Sequence, residues 1–480
     1  MRSGVAQSRR KHKVVLYNPA DIFFTMPLAL VAVASHLDPR IYDVRIIDGR
    51  LESNPIDAIA PHLDEAICFG VTVMTGAPIK DAIHICRAVK ERRPDLTVVW
   101  GGWHPSMFGT ECLQEPAVDI TVQGQGEETF CEILDRLVAG SSMAHCAGCC
   151  YRGADGEVKV NPARPFKNIN AFGEHRYELF DVERFFALKG KRQLDYISSQ
   201  GCPFRCAFCA DPFVFGRQYA GFTPQRMGAE IEALWRKYQF DDLNFQDETY
   251  FTYAKRVAGV ADELIKRKLP ITWAGTMRAD QCYRLPEEVF AKCRESGLRR
   301  VLMGVETGSE SMIKKIKKDI KLEHVLFAAQ RCKKYGVDMH IPFIIGFPDE
   351  TAADVQASLD LIKHLRSISS GFQTPIFYFK PYPGTSITQQ AVEGGFSLPC
   401  DLEGWSDFAF VESDAGPWVT PQRHQLVERF KFFQQLAFDE ACGWKQMLKT
   451  AAKWRCRNDF YGLPIERILR RWLHPGPQMS

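Results

Sequence analysis

A chain of 480 residues exceeds what one hydrophobic core serves, so two or three domains are expected. Hydrophobic residues at 45% and charged residues at 25% are the proportions of a soluble globular protein, and a net charge of +3 with acids and bases interleaved argues against a nucleic-acid partner. No apolar run reaches about 18 residues, and no signal-like stretch follows the basic opening run of Arg9, Arg10, Lys11 and Lys13, which predicts a cytoplasmic protein with no transmembrane segment.

Residues 13–140 alternate strand and helix signals. An apolar run over 14–17 ends at Asn18-Pro19 and leads into a helical stretch over 27–37. Strand signals follow at 44–47, 66–73, 97–100 and 120–123, with a helix over 80–92, and the last strand runs into Gly124-Gln125-Gly126-Glu127. This α/β alternation predicts a doubly wound, Rossmann-like parallel sheet that binds ligands beyond the carboxyl ends of its strands. Residues 141–190 read as a linker with a small hairpin over 150–160. In 191–385, strands near 195–199, 243–246, 271–276, 300–305, 339–345 and 376–380 alternate with helices such as 224–238, 254–268 and 322–335. Six strands with right-handed crossovers predict a partial (β/α)6 barrel. Residues 386–480 read as a mainly helical region, strongest over 422–453. Its Trp405, Phe408, Phe410 and Trp418 either close over an apolar substrate or belong to the core.

Sixteen cysteines in a chain too long to need disulfide staples predict reduced thiols. Cys68, Cys86, Cys131, Cys293 and Cys332 lie in apolar or helical stretches, where Cys behaves as a small hydrophobe. Cys146 and Cys149, with Cys150 beside them, make a CxxC-like group in the linker without a second CxxC, and read as accidental strand cysteines. The triplet Cys202, Cys206 and Cys209 is different. Its CxxxCxxC spacing follows the first barrel strand directly, where one loop can aim three thiolates at a small object. Structural zinc and ferredoxin-type clusters both call for a fourth ligand, and no nearby Cys or His offers one. Three thiolates on a 4Fe–4S cluster leave one iron open for chemistry.

The segment from Tyr196 to Cys209 resembles the signature of the radical S-adenosylmethionine superfamily. The resemblance implies that the open iron chelates the amino and carboxylate groups of S-adenosylmethionine, and that an electron donor such as flavodoxin or ferredoxin drives its cleavage to a 5′-deoxyadenosyl radical. It nominates Phe208 as the aromatic residue before the last Cys, and Asp247 and Glu248 as partners of the methionine ammonium. Arg278 is nominated for the methionine carboxylate and Glu306, within Gly304-Val305-Glu306-Thr307-Gly308-Ser309, for the ribose hydroxyls. Gly346 opens the turn Gly346-Phe347-Pro348-Asp349-Glu350 expected against the adenine, and Pro381-Tyr382-Pro383-Gly384-Thr385 matches the end of the sixth strand.

A doubly wound domain ahead of such a barrel resembles the cobalamin-binding domain of one subgroup, which contains radical methylases and anaerobic magnesium-protoporphyrin monomethyl ester cyclases. The resemblance rests on Tyr17-Asn18-Pro19, Val71-Thr72-Val73-Met74-Thr75, Gly101-Gly102-Trp103-His104-Pro105 and Gly124-Gln125-Gly126-Glu127. It implies cobalamin contacts from Asn18, Met74, Thr75, Gly101, Gly102, His104, Gly124, Gly126 and Glu127. Small residues after the third and fourth strands would let the backbone approach a large flat corrin. The DxHxxG motif that supplies an axial His to cobalt elsewhere is absent. His104 is then either a ligand or a loop residue facing the nucleotide tail or solvent.

The expected activity is methyl transfer from methylcobalamin to an unactivated carbon, or to phosphorus, of a small molecule such as a tetrapyrrole, lipid or polyketide. A radical cyclase or oxidative rearrangement enzyme is the rival within the superfamily. An iron–sulfur electron carrier or binding module is the rival from another class. No single catalytic side chain stands out.

Overall fold

The computed structural model describes residues 11–21, 24–408, 416–438 and 445–462; Arg9, Arg10 and Phe410 lie outside them. The first sheet contains β1 (His12–Asn18), β2 (Tyr42–Asp48), β3 (Ala66–Thr72), β4 (Thr97–Gly101) and β5 (Ile120–Val122), followed by the hairpin strands β6 (Cys149–Arg152) and β7 (Val158–Val160). The order is β2-β1-β3-β4-β5-β6-β7, parallel through β5 and antiparallel at the hairpin. Val14 to Tyr17 are buried without interruption, as a strand covered on both faces requires. Val14 and Leu16 face a core continuous with that of the second sheet, whereas Val15 and Tyr17 face a separate one. Trp405 and Phe408 pack into that separate core, so these two aromatics are core residues. The order reverses between β1 and β3, and a crevice opens at their carboxyl ends.

The second sheet starts at β8 (Gln193–Tyr196), after which β9 (Ser199–Gln200) and β10 (Ala220–Gly221) form a short antiparallel pair. It continues with β11 (Asp242–Phe245), β12 (Thr272–Thr276), β13 (Leu298–Leu302), β14 (Asp338–His340), β15 (Phe343–Ile345), β16 (Phe372–Gln373) and β17 (Ile376–Tyr378). All neighbours are parallel and in chain order, β8-β11-β12-β13-β14-β16, with β15 beside β17, which makes an open six-stranded (β/α) barrel. The breaks between β14 and β15 and between β16 and β17 fall at or beside Pro342 and Pro375, which have no N–H to give a ladder. The adjoining bonds survive, with Ile341 N–H on the Gln373 carbonyl at 2.7 Å and Phe343 N–H on the Pro375 carbonyl at 2.9 Å.

Among its described residues the C-terminal region contains two long helices, Pro421–Phe438 and Lys445–Arg457. Val427, Phe430 and Phe433 of the first and Ala452 and Cys456 of the second join the large core. No helix among the described residues is long and apolar enough to cross a membrane.

Candidate functional site

The cysteine loop is anchored before it begins. Asp247, two residues past the end of β11, accepts the backbone N–H groups of Ser198 and Ser199 at 2.6 and 2.8 Å and the Ser198 hydroxyl at 2.5 Å. Arg256 donates to the Ser198 carbonyl at 2.8 Å from the other side. Gly201 then turns with φ +76°, and a Cβ there would lie 2.3 Å from the Gln218 carbonyl oxygen, so only glycine fits. The three thiols follow, all free and partly exposed. Ala207 N–H bonds the Ile316 carbonyl at 2.8 Å, Arg278 Nη1 lies 3.5 Å from Cys206 Sγ, and the guanidinium covers the Phe204 ring at 3.8 Å.

Burial pushes the Cys202 and Cys209 thiols up to about 12, so they keep their protons until a metal displaces them. Among the described residues no three His, Cys, Asp or Glu are drawn tightly enough around one point to hold a single metal ion. Three soft sulfur donors on one loop, with a guanidinium at one of them, suit an iron–sulfur cluster.

The other nominated residues separate by what already holds them. Glu248 is free to bind: its Oε2 is buried without a partner, and burial, with the charges of Asp211 and Asp247, pushes the carboxyl up to about 8. Asp247 is committed to the loop, as described. Arg278 also bonds Asp280 at 2.9 Å and the Lys318 carbonyl. Glu306 sits at φ +69° in a buried ion pair with Lys318, 2.8 Å apart. Phe208 packs edge-on against Phe347, and Gly346 lies at φ +88° behind it in the fold. Two residues escaped the sequence reading. Lys318 partners Glu306 across twelve residues, with no local signal. Asp211 is buried with both carboxylate oxygens unpartnered and is pushed up to about 7, chiefly by burial; an acid opening a short helix reads as a cap.

A cavity of about 330 Å³ lies between the first sheet and the barrel mouth. Of the nominated cobalamin contacts, Asn18, Met74, Gly101, Gly102, Gly124, Gly126 and Glu127 line it. Ile197, Gln200, Val214, Phe215, Gln246 and Glu248 form the opposite wall. Gly101 and Gly124 leave open space where a Cβ would stand, its nearest neighbours being 3.8 and 3.9 Å away. A glycine cradle of this kind fits a large planar group such as a corrin.

Thr75 and His104 are not among the lining residues. They bond each other at 3.0 Å, and the His104 ring is packed beside Phe108 and Trp405; burial pushes it down to about 4. Amides bridge the two walls: Gln125 Nε2 donates to Gln200 Oε1 at 2.8 Å, and Gln200 Nε2 donates to Glu127 Oε1 at 2.7 Å.

Two family models match the chain, the Radical SAM superfamily over residues 196–362 and the B12 binding domain over 23–134. The chain is 30% identical to the "uncharacterized methyltransferase PH0819" of Pyrococcus horikoshii, over 80% of this chain and 82% of that one. It is 27% identical to the anaerobic magnesium-protoporphyrin IX monomethyl ester cyclase of Rubrivivax gelatinosus, over 77% and 67%. Its fold is similar to that of the radical S-adenosylmethionine methyltransferase TsrM from Kitasatospora setae, with a TM-score of 0.74 at 16% identity over 97% of this chain and all of that one.

Proposed function

The chain belongs to the radical S-adenosylmethionine superfamily, in the branch that carries a B12-binding domain ahead of the barrel, and from that premise we propose that it methylates an unactivated carbon of a small molecule. One observation carries the reading. A single cavity has glycine backbone from the first sheet on one side and Glu248, with the loop that follows the cysteines, on the other. When bound, the cluster and S-adenosylmethionine supply hydrogen-atom abstraction, and cobalamin supplies the methyl group.

The chain's own residues have three tasks. Cys202, Cys206 and Cys209 hold the cluster, with Asp247 and Arg256 fixing the strand end from which their loop departs. Glu248 offers an unpaired carboxyl oxygen to the methionine ammonium, whose positive charge favours loss of the proton that burial otherwise keeps on it, and the resulting interaction strengthens where water is excluded. Val214 and Phe215 close the wall beside the cysteine loop, and the Phe215 ring meets Trp103 of the first domain at 5.8 Å. That closure keeps water from the reacting centre. The electron donor in this reading is a flavodoxin or ferredoxin, and the substrate is drawn from apolar small molecules such as tetrapyrroles, lipids and polyketides.

Product formed with methyl-deuterated S-adenosylmethionine tests the reading by mass. A labelled methyl group in the product is the expected outcome. Unlabelled product would favour the cyclase or oxidative rearrangement reading, to which the resemblance to the Rubrivivax cyclase lends weight. Absence of 5′-deoxyadenosine after dithionite reduction would instead leave an electron carrier.

A further inference from the structure

The turn after β15 is tied to the C-terminal region by contacts that the proposed reaction does not use. Gly346 N–H donates to Glu350 Oε2 at 2.6 Å, and the Gly346 carbonyl accepts the indole N–H of Trp418. A Cβ on Gly346 would lie 2.6 Å from Val419 Cγ2, so the segment approaches as closely as glycine allows. Arg423 Nη1 adds a bond to the Glu350 carbonyl at 2.8 Å. From Trp418 a row of rings runs through Phe379 (6.1 Å), Phe347 (4.8 Å) and Phe208 (5.9 Å), ending at the residue before Cys209. Residues 418–423 therefore hold both ends of the turn, and the same segment reaches the cysteine loop through a row of tilted and edge-on ring contacts.

We propose that Trp418 is a positioning residue for S-adenosylmethionine, holding through its indole N–H the turn on which the adenine rests. The proposal rests on the function proposed above, because it takes the Gly346 turn as the adenine contact. A merely structural Trp418 needs only its ring, since packing area is indifferent to the indole N–H. A positioning role needs the N–H, because the Gly346 carbonyl otherwise loses its partner and the turn loses its setting.

The substitution Trp418→Phe keeps a ring and removes the N–H. The full chain, anaerobically reconstituted with iron and sulfide and reduced with dithionite, is titrated with S-adenosylmethionine while the electron paramagnetic resonance of the cluster is followed. The variant is expected to bind the same iron and to reach the same end-point spectrum, with the titration midpoint raised about tenfold. A midpoint equal to that of the unaltered chain overturns the proposal. Arg423→Met, which cuts the second tie and leaves Trp418 in place, is expected to move the midpoint in the same direction. Should Trp418→Phe fail to fold, an unmoved midpoint in Arg423→Met overturns the proposal. An unaltered chain that takes up iron yet shows no spectral response to S-adenosylmethionine overturns the proposed function and this inference with it.

Discussion

The two walls of the cavity differ in their materials. The first sheet offers mostly backbone: glycines with empty space in front of them, a histidine turned away between Phe108 and Trp405, and one buried carboxylate, Glu127, that keeps an oxygen without a partner. The barrel side offers Glu248, whose carboxyl keeps an oxygen without a partner, and behind that wall lie Asp211, also unpartnered, and cations held near the thiols. The sheet is thus built to accept a large, flat surface mainly by shape. The barrel is built to accept small charged groups by electrostatics. If this division holds, damage to one wall leaves the ligand of the other alone.

The largest effect is expected from the thiols. Replacing any of Cys202, Cys206 or Cys209 with alanine should lower bound iron sharply and remove 5′-deoxyadenosine release, while cobalamin uptake, followed by absorbance, stays intact. Loss of cobalamin together with iron would break the division. Next comes Glu248→Gln, which should weaken S-adenosylmethionine by about 2 kcal/mol, roughly thirtyfold, because a charge-assisted bond in a buried place is lost; cobalamin affinity should not change. On the other wall, Gly101→Val fills the open space and should weaken cobalamin about tenfold or more. Its dissociation constant for S-adenosylmethionine and its melting temperature should stay close to those of the parent, since nothing stands within 3.4 Å of the new Cβ.

The smallest effect is in the pH dependence of the metal-free protein, and it has opposite signs at Glu248, which lines the cavity, and at His104, which is packed away from it. Glu248 is raised to about 8 in the fold, so its contribution to stability is fullest in acid and is lost as pH rises from the ordinary carboxylate range towards 8. His104 is lowered to about 4, so its contribution is present above the ordinary histidine range and is lost as pH falls towards 4. Melting temperatures across pH 4–9 should show Glu248→Gln flattening the alkaline side of the profile and His104→Phe the acid side. A single substitution that flattens both sides would show that the two groups are coupled.

What the sequence made legible was local. β1 and β3 stand out as short apolar runs, because burial on both faces of a parallel strand leaves little room for polar residues, whereas the edge strand β2 keeps Asp43 and Arg45 exposed. The three thiols were legible because a cluster needs them at fixed offsets on one loop. Pairings across long separations were not. Nothing near Asp247 says that its carboxylate is spent on Ser198 and Ser199, forty-nine and forty-eight residues earlier. Lys318 sits in a lysine-rich run that reads as a solvated face, yet it is buried against Glu306. In sequence His104 is either a ligand or a loop residue, because a histidine soon after Gly-Gly at a strand end suits both. Its direction was decided by Phe108 and Trp405, one nearby and one three hundred residues away. The aromatic C-terminal region was ambiguous for the same reason, since core and lid draw on the same residues.

The rungs from Gln125 through Gln200 to Glu127 set the headroom between floor and ceiling. Because those rungs are intramolecular, the gap belongs to the folded chain and owes nothing to its guest. Any guest must therefore fit a spacing that the chain sets by itself.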